Sequence, residues 1–417
     1  MTRSILFDAS RLLSRVERAA PTGVDRVCLA YAEWLLSLPD VRVTPVRARH
    51  NRLVVVDEAW FRRCIQTMRS RWTGGFFERS LTEDEMRLMA ALGGDGKAAE
   101  SVIGKPPTEP GKSPGRRARV WRRLFRSQWI QKLPESSHYF NVGHTSLDDP
   151  AILAALRDKG IECVVLIHDL IPITHPEFCR PGDGDRHRQR VVNSLNLASR
   201  IVVNSRYTAH ELSSFAAREA IAAPPIDAVH LGLEPTFLTR PTAATSRPYF
   251  LHVGTIEARK NLAFLLTVWR RLQEKMGDAA PQLVLVGRYG WENEAVLDHL
   301  ERSPALRGLV HQASDLPDSA LATLMAGARA LVAPSSVEGF DLPAVEASAL
   351  GVPLIASDIP AHRELTPDAR LIDPLDGLGW IDALEAATLQ PPRASPFTAP
   401  SWEDHFAEVA RRAGLSA

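Results

Sequence analysis

The sequence predicts an α/β protein of two doubly wound parallel-sheet domains. Three observations carry that prediction: near-continuous apolar strands, helix-period segments between them, and one break rich in Thr, Pro and Ala near the middle of the chain. Strands apolar on both faces belong to parallel sheets covered by helices on both sides.

In the first half, strand patterns fall at Ile5 to Phe7, Arg42 to Val46, Leu53 to Val56, Tyr139-Phe140, Cys163 to Ile167, Arg200 to Val203 and Ala228 to His230. Helical patterns lie between several of them, at about Asp25 to Leu38, Pro150 to Lys159, Arg186 to Ala198 and Tyr207 to Ala217. The second half repeats the alternation, with strands at Tyr249 to Val253, Leu283 to Val286, Leu309 to His311, Ala330 to Ala333 and Leu354 to Ala356. The stretch Thr236 to Pro248 reads as a linker. The expected division is therefore 1–235, a linker 236–248, a second domain 249–399 and a last helix in 400–417, opened by Ser401-Trp402-Glu403-Asp404.

Composition fits without deciding function. A chain of 417 residues, 45% of them hydrophobic, can bury two sizeable cores. A net charge of +1 gives no global argument for nucleic acid. No run of 18 apolar residues suggests a membrane span, and Met1-Thr2-Arg3 leads straight into a strand, with no signal-peptide pattern. Cys28, Cys64, Cys163 and Cys179 have no metal-ligand spacing, so a reducing cytoplasm is the expected setting.

The most informative segment is Pro334 to Glu346, where Glu338 and Glu346 flank a helix start just after an apolar strand. Asp341 suits an N-cap, Pro343 is tolerated in the first turn, and Gly351 with Pro353 ends the helix. Backbone N–H groups from Gly339 to Leu342 would then carry the positive end of a helix dipole, a place that attracts phosphate. On spacing alone, a solvated loop carboxylate and an ordinary first-turn Glu fit equally well.

A second segment, His252 to Asn261, follows the strand Tyr249 to Val253 and precedes a helix with Leu262, Leu265, Leu266, Trp269 and Leu272 on one side. Strand, Gly254 turn and the adjacent cations Arg259 and Lys260 make a candidate diphosphate clamp. A solvated Arg-Lys pair is the plain alternative.

The stretch Ala330 to Pro360 resembles the signature of retaining glycosyltransferases of family 4, and Gly254 to Lys260 resembles that family's basic motif. The resemblance implies the GT-B fold: two Rossmann-like domains facing each other across a cleft, with the last helix returning to the N-terminal domain. It implies a nucleotide-sugar donor, with Glu338 beside the sugar hydroxyls, the backbone of Gly339, Phe340, Asp341 and Leu342 on sugar and diphosphate, and Glu346 on the ribose. Arg259 and Lys260 become diphosphate ligands beside Gly254 and Thr255. Asp341 stands where the family more often has Gly, Ala258 where it has Pro, and Thr255 where some relatives have Arg.

In the first domain, His168-Asp169-Leu170-Ile171-Pro172 resembles the family's donor-contacting His region; alone, such a His is more often structural. Pro21 to Arg26 resembles the N-terminal glycine loop, with Gly23 as the residue approaching phosphates or acceptor, although a plain turn and helix cap fits the same residues. Asn204-Ser205-Arg206 is similar to a recurrent family segment and reads as cleft wall. Residues 72–134 leave the alternating pattern. Within 112–132, basic residues from Lys112 to Arg126 surround Val120, Trp121, Leu124, Phe125 and Trp129, a pattern that suits either an anionic membrane surface or packing on the domain.

The resemblance thus implies a retaining hexosyltransferase, mannose and a GDP-sugar favoured, acting on a lipid-linked or polysaccharide acceptor in bacterial surface-glycan synthesis. UDP- or dTDP-sugar donors, or a non-catalytic nucleotide-sugar-binding scaffold, are the alternatives. No metal and no cofactor are expected, and the chain is placed in the cytoplasm, peripheral on the inner face of the plasma membrane if the basic segment binds it.

Overall fold

A computed structural model describes residues 3–49, 52–74, 137–241 and 248–415, with the isolated positions Met86, Leu88 and Leu92. The chain forms two units. The first comprises Met1–Trp72, Pro110–Gly232 and Pro400–Ala417; the second comprises Thr73–Glu109 and Leu233–Ala399.

The first unit is built on a seven-stranded sheet in the order β3-β2-β1-β4-β5-β6-β7. Its strands are β1 (Arg3–Asp8), β2 (Val41–Arg49), β3 (Arg52–Val55), β4 (His138–Asn141), β5 (Glu162–Ile167), β6 (Arg200–Val203) and β7 (Ile226–Ala228). Every neighbouring pair is parallel except β2 and β3, which run antiparallel at the edge. Burial explains the parallel core: Ile5, Leu6 and Phe7 on β1 are inaccessible on both faces, as only a sheet covered on both sides allows.

The C-terminal helix Trp402–Arg412 belongs to this unit. Ser401 caps it, its hydroxyl accepting from the Asp404 N–H at 3.0 Å. Phe406 stacks on Trp34 at 4.6 Å between ring centroids. The Nδ1–H of His405 donates to the His230 carbonyl at 2.8 Å, so Nε2 is left to accept from the Tyr31 hydroxyl at 2.9 Å. Burial holds this imidazole neutral, its pKa pushed down to about 4. A Cβ at Gly232 would lie 2.1 Å from the Trp402 nitrogen, so only glycine lets the helix start there.

The second unit carries a six-stranded, all-parallel sheet in the order β10-β9-β8-β11-β12-β13. The strands are β8 (Tyr249–Val253), β9 (Gln282–Val286), β10 (Val310–Ala313), β11 (Ala330–Ala333), β12 (Leu354–Ser357) and β13 (Arg370–Ile372). Numbered from its own first strand, this is the doubly wound 3-2-1-4-5-6 order, whose topological switch lies between β8 and β11. The helix Leu262–Met276 buries Leu262, Leu265, Leu266, Trp269 and Leu272, and Trp269 Nε1 donates to the Pro281 carbonyl at 2.8 Å. Each such side chain contributes roughly 1.5–3 kcal/mol by leaving water. Leu88 and Leu92 are buried in this unit's second core cluster with Phe237, Tyr249 and Leu331.

Strand β7 starts two residues earlier than the sequence pattern suggested, at Ile226. Strand β13 and the helix Glu58–Thr73 were not anticipated by the periodicity reading above.

Candidate active site

The two sequence motifs of the second unit emerge from the two strands flanking its switch point. The loop after β8 carries Gly254 to Lys260 and the loop after β11 carries Pro334 to Asp341. The Ser336 N–H donates to the Arg259 carbonyl at 2.8 Å, tying the loops together. In this fold class, the crevice at the carboxyl ends of such strands is where ligands bind.

Their side chains form one buried ionic cluster. Arg259 Nη1 donates to Glu338 Oε2 at 2.5 Å, and its Nε pairs with Glu257 Oε1 at 2.6 Å. Lys260 Nζ lies 2.6 Å from Glu338 Oε1 and 3.3 Å from Asp341 Oδ1. His362, on the helix Pro360–Leu365 after β12, places Nε2 3.0 Å from Asp341 Oδ2. Glu338, Lys260, Asp341 and His362 are all buried, and Arg259 and Glu257 are partly exposed.

Desolvation works against every charge here, and the pairing decides the outcome. Burial pushes the Glu338 carboxyl up, but Arg259 and Lys260 outweigh it and hold the group below the ordinary Glu range. Burial likewise raises Asp341, and Lys260 and then the His362 hydrogen bond bring it well below the usual value. Lys260 is lowered by burial and raised by Asp341 and Glu338, with a net rise. His252, on β8, is neutral: burial and then the Lys260 ammonium depress its pKa to about 4, and its Nδ1–H donates to the Val332 carbonyl. A buried pair missing one partner is strongly destabilising, so the cluster holds as a set.

The backbone around the ammonium is close-fitting. A Cβ at Gly254 would stand 3.0 Å from Lys260 Cε and 3.3 Å from its Nζ. A Cβ at Gly287 would sit 1.8 Å from the Gly254 carbonyl oxygen, so the ends of β8 and β9 can approach this closely only because residue 287 is glycine.

Asp341 occupies the N-cap position of the helix Leu342–Ala349, with φ 63 and ψ 69, but no side-chain capping bond. The capping role expected from sequence is therefore wrong. The carboxylate is drawn away to Lys260 and His362, and the residue adopts a left-handed conformation that Asp tolerates better than most. Gly339 and Phe340 are buried in the same loop, Leu342 begins the helix half-buried, and Glu346 is buried one turn further along it. Thr255 follows Gly254 directly, in the turn before the Ala258–Lys260 helical turn.

His168 and Gly23 lie in the first unit. His168 directly follows β5, with Nε2 donating to the Val142 carbonyl at 2.9 Å. Its ring lies 5.0 Å from that of His144, which in turn lies 5.5 Å from that of His187. Burial depresses the pKa of His168 to about 4 and that of His144 well below its usual value. Gly23 is the exposed first residue of the helix Gly23–Ser37, where Thr22 and Asp25 form a capping box. Asp25 also pairs with Arg11 at 2.7 Å.

His362 and His252 escaped the motif reading. The replacement of Gly by Asp at 341 was the available signal for His362, because a buried carboxylate needs more than one partner. Among the described residues, no group of three His, Cys, Asp or Glu is disposed to hold a metal ion. No described helix is long and apolar enough to cross a membrane. The basic residues of 112–132 lie outside the described residues.

Comparison with known proteins bears on this geometry. Residues 236–376 match the family described as Glycosyl transferases group 1. The chain is 30% identical over 268 residues to the O-antigen chain mannosyltransferase B of Escherichia coli, covering 61% of this chain and 65% of that protein. It is 27% identical over 249 residues to the serotype-specific mannosyltransferase WbdA of Escherichia coli, covering 56% of this chain and 30% of that one. The matches thus span less than two thirds of either relative. Sucrose-phosphate synthase from Thermosynechococcus elongatus superposes with a TM-score of 0.60 at 15% identity, covering 100% of both chains. Anabaena HepE in complex with UDP-glucose gives 0.57 at 15% identity, covering 98% of this chain and 95% of that one. The two parallel-sheet α/β domains are those of the GT-B fold.

Proposed function

We propose, on the premise that residues 236–376 are a glycosyl transferases group 1 domain, that the chain is a retaining glycosyltransferase. It moves a hexose, mannose favoured, from a nucleoside diphosphate sugar to a lipid-linked or polysaccharide acceptor in bacterial cell-surface glycan synthesis. GDP is the favoured nucleotide. The mannosyltransferase names of its relatives support the sugar, and the observation that carries the reading is the meeting of Arg259, Lys260 and Glu338 at the switch point.

In this reading the donor diphosphate takes over the cations. The Arg259 guanidinium grips two phosphate oxygens and the Lys260 ammonium adds a point charge, while the helix Leu342–Ala349 contributes the positive end of its dipole. Backbone from Gly339 to Leu342 holds sugar and diphosphate, Glu338 turns to the sugar hydroxyls, and Glu346 takes the ribose. On the first unit, the same reading assigns His168 to the donor and Gly23 to phosphates or acceptor. The bond from the sugar's anomeric carbon to the diphosphate oxygen breaks, the acceptor oxygen attacks the same face, and its proton passes to the departing diphosphate. Arg259 and Lys260 stabilise the charge that develops on that leaving group, the kind of preorganised electrostatics that dominates many rate enhancements. Because protein cations supply this charge, transfer is metal-independent. The same reading sets the protein in the cytoplasm, with residues 112–132 recruiting it to anionic lipid.

Incubation with a panel of GDP-, UDP- and dTDP-sugars, with and without lipid-linked acceptors, tests the proposal. Nucleotide release that depends on acceptor supports transfer and identifies the base. Binding without release with any acceptor points instead to a nucleotide-sugar-binding scaffold.

A further inference from the structure

His362 is inaccessible to solvent, and both of its ring nitrogens face oxygen acceptors. Nδ1 lies 2.8 Å from the Ser357 carbonyl and Nε2 lies 3.0 Å from Asp341 Oδ2. A carbonyl cannot donate, and a neutral imidazole has only one N–H. Two donors are therefore needed, unless Asp341 carries the proton itself. Asp341 is the poorer place for it, since its other oxygen faces the Lys260 ammonium at 3.3 Å. Turning the ring over offers only C–H groups to the same acceptors.

Charge balance points the same way. The cluster contains three carboxylates, Glu257, Glu338 and Asp341, and two permanent cations, Arg259 and Lys260. A protonated His362 brings it to three against three, whereas a neutral one leaves excess negative charge where a diphosphate must enter. Of the other charged groups on the His362 helix, Arg363 is exposed and turned to Asp358 at 2.5 Å, and Glu364 is a half-buried carboxylate, so neither supplies the missing positive charge. His252, on the Lys260 side, is neutral.

We propose that His362 is a positioning residue of the donor site, held as an imidazolium that anchors Asp341 against Lys260 and so fixes the ammonium beside Glu338 and Gly254. The inference rests on the donor-site reading above and adds to it a residue that touches neither donor nor acceptor. Asp341 keeps its left-handed backbone because His362 and Lys260 hold its carboxylate from two sides, in place of the helix N–H groups it would otherwise cap. Burial lowers the His362 pKa, the Asp341 hydrogen bond raises it, and the net shift is upward from the ordinary value.

The test uses the full-length chain labelled with 15N at histidine, with His362 assigned by loss of its signal in His362→Gln. At neutral pH both ring nitrogens of His362 should report the protonated form, and Asp341→Asn, which keeps the shape of residue 341, should return the ring to neutral. GDP and UDP are the probes for positioning. His362→Gln should weaken binding of whichever nucleotide the wild type prefers by about tenfold, roughly the worth of one charge-assisted hydrogen bond. In wild type the affinity should fall as pH rises through the His362 pKa, and Asp341→Asn should lose that dependence. A neutral His362 ring in folded wild type overturns the proposal, as does nucleotide affinity unchanged in both variants. Failure of wild type to bind either nucleotide sinks the donor-site reading and the positioning role with it, whereas the ring measurement alone can sink the positioning role and leave the donor site standing.

Discussion

The Ser336 N–H donates to the Arg259 carbonyl at 2.8 Å, joining the loop after β11 to the loop after β8. This one backbone bond places the cations of one motif within reach of the carboxylates of the other. The ion pairs from Arg259 and Lys260 to Glu338 follow from that placement.

Removing the shared cation should unbalance the site. Lys260→Ala leaves Glu338 and Asp341 buried with one partner fewer, a loss of about 3–5 kcal/mol for a broken buried pair. Denaturant unfolding of wild type and variant measures it; a difference within experimental scatter contradicts the buried network. Arg259→Ala, at a partly exposed member, should cost less stability while still reducing turnover.

Gly254 and Gly287 should separate binding from folding. At Gly254, where φ is +158, an added Cβ meets the buried Lys260 Cε at 3.0 Å, so Gly254→Ala should displace the ammonium and reduce nucleotide affinity, with a smaller loss of stability than at Gly287. At Gly287 the Cβ would meet the Gly254 carbonyl at 1.8 Å, and backbone cannot step aside, so Gly287→Ala should destabilise by about 1–3 kcal/mol or more. Thermal melts with GDP titrations on both variants check this; equal behaviour of the two contradicts it.

Acid should weaken the fold through its buried neutral histidines. His168, His252 and His405 each have pKa values pushed down to about 4, so the unfolded chain binds more protons than the native one below the ordinary histidine value of about 6.5. Their stabilising contribution is present above that value and is lost as pH falls toward 4. His362 has the opposite sign: its raised pKa gives a contribution present below about 6.5 and lost as pH rises through the folded value. Unfolding midpoints across pH 4 to 9 in wild type and His362→Gln should show a steeper alkaline decline in wild type, and parallel curves contradict the assignment.

Chelation should leave the reaction untouched. In the proposed reaction Arg259 and Lys260, now paired with Glu338, take the leaving-group charge, so EDTA should not change the rate of nucleotide release; abolition restored by a divalent cation contradicts metal-independent transfer.

Much of the second unit was legible because its strands are apolar on both faces: β8 and β11 fall where the pattern put them, and both motifs follow directly. Other elements left weaker traces. Strand β13 is three residues long, with an exposed Arg370 and one buried residue, too short for periodicity to register. The direction of β3 is a property of its pairing with β2, invisible in four residues of sequence. The helix Glu58–Thr73 did carry a signal, Phe61, Ile65, Met68 and Trp72 on one buried face, but the basic composition around it masked the stripe. At the site, residue types and spacing together with the family resemblance singled out Glu338, Arg259 and Lys260, which the fold brings into one cluster. They could not reveal where Asp341 would point, because a lone Asp before a helix reads as a cap until a buried Lys and His compete for it.

The most direct test is nucleotide release from GDP-mannose by the full-length chain, with and without a lipid-linked mannose-containing acceptor, alongside Glu338→Gln and Lys260→Ala. The account predicts release that requires acceptor and is lost in both variants. Acceptor-independent release, release undiminished in the variants, or no release from any GDP-, UDP- or dTDP-sugar would contradict it.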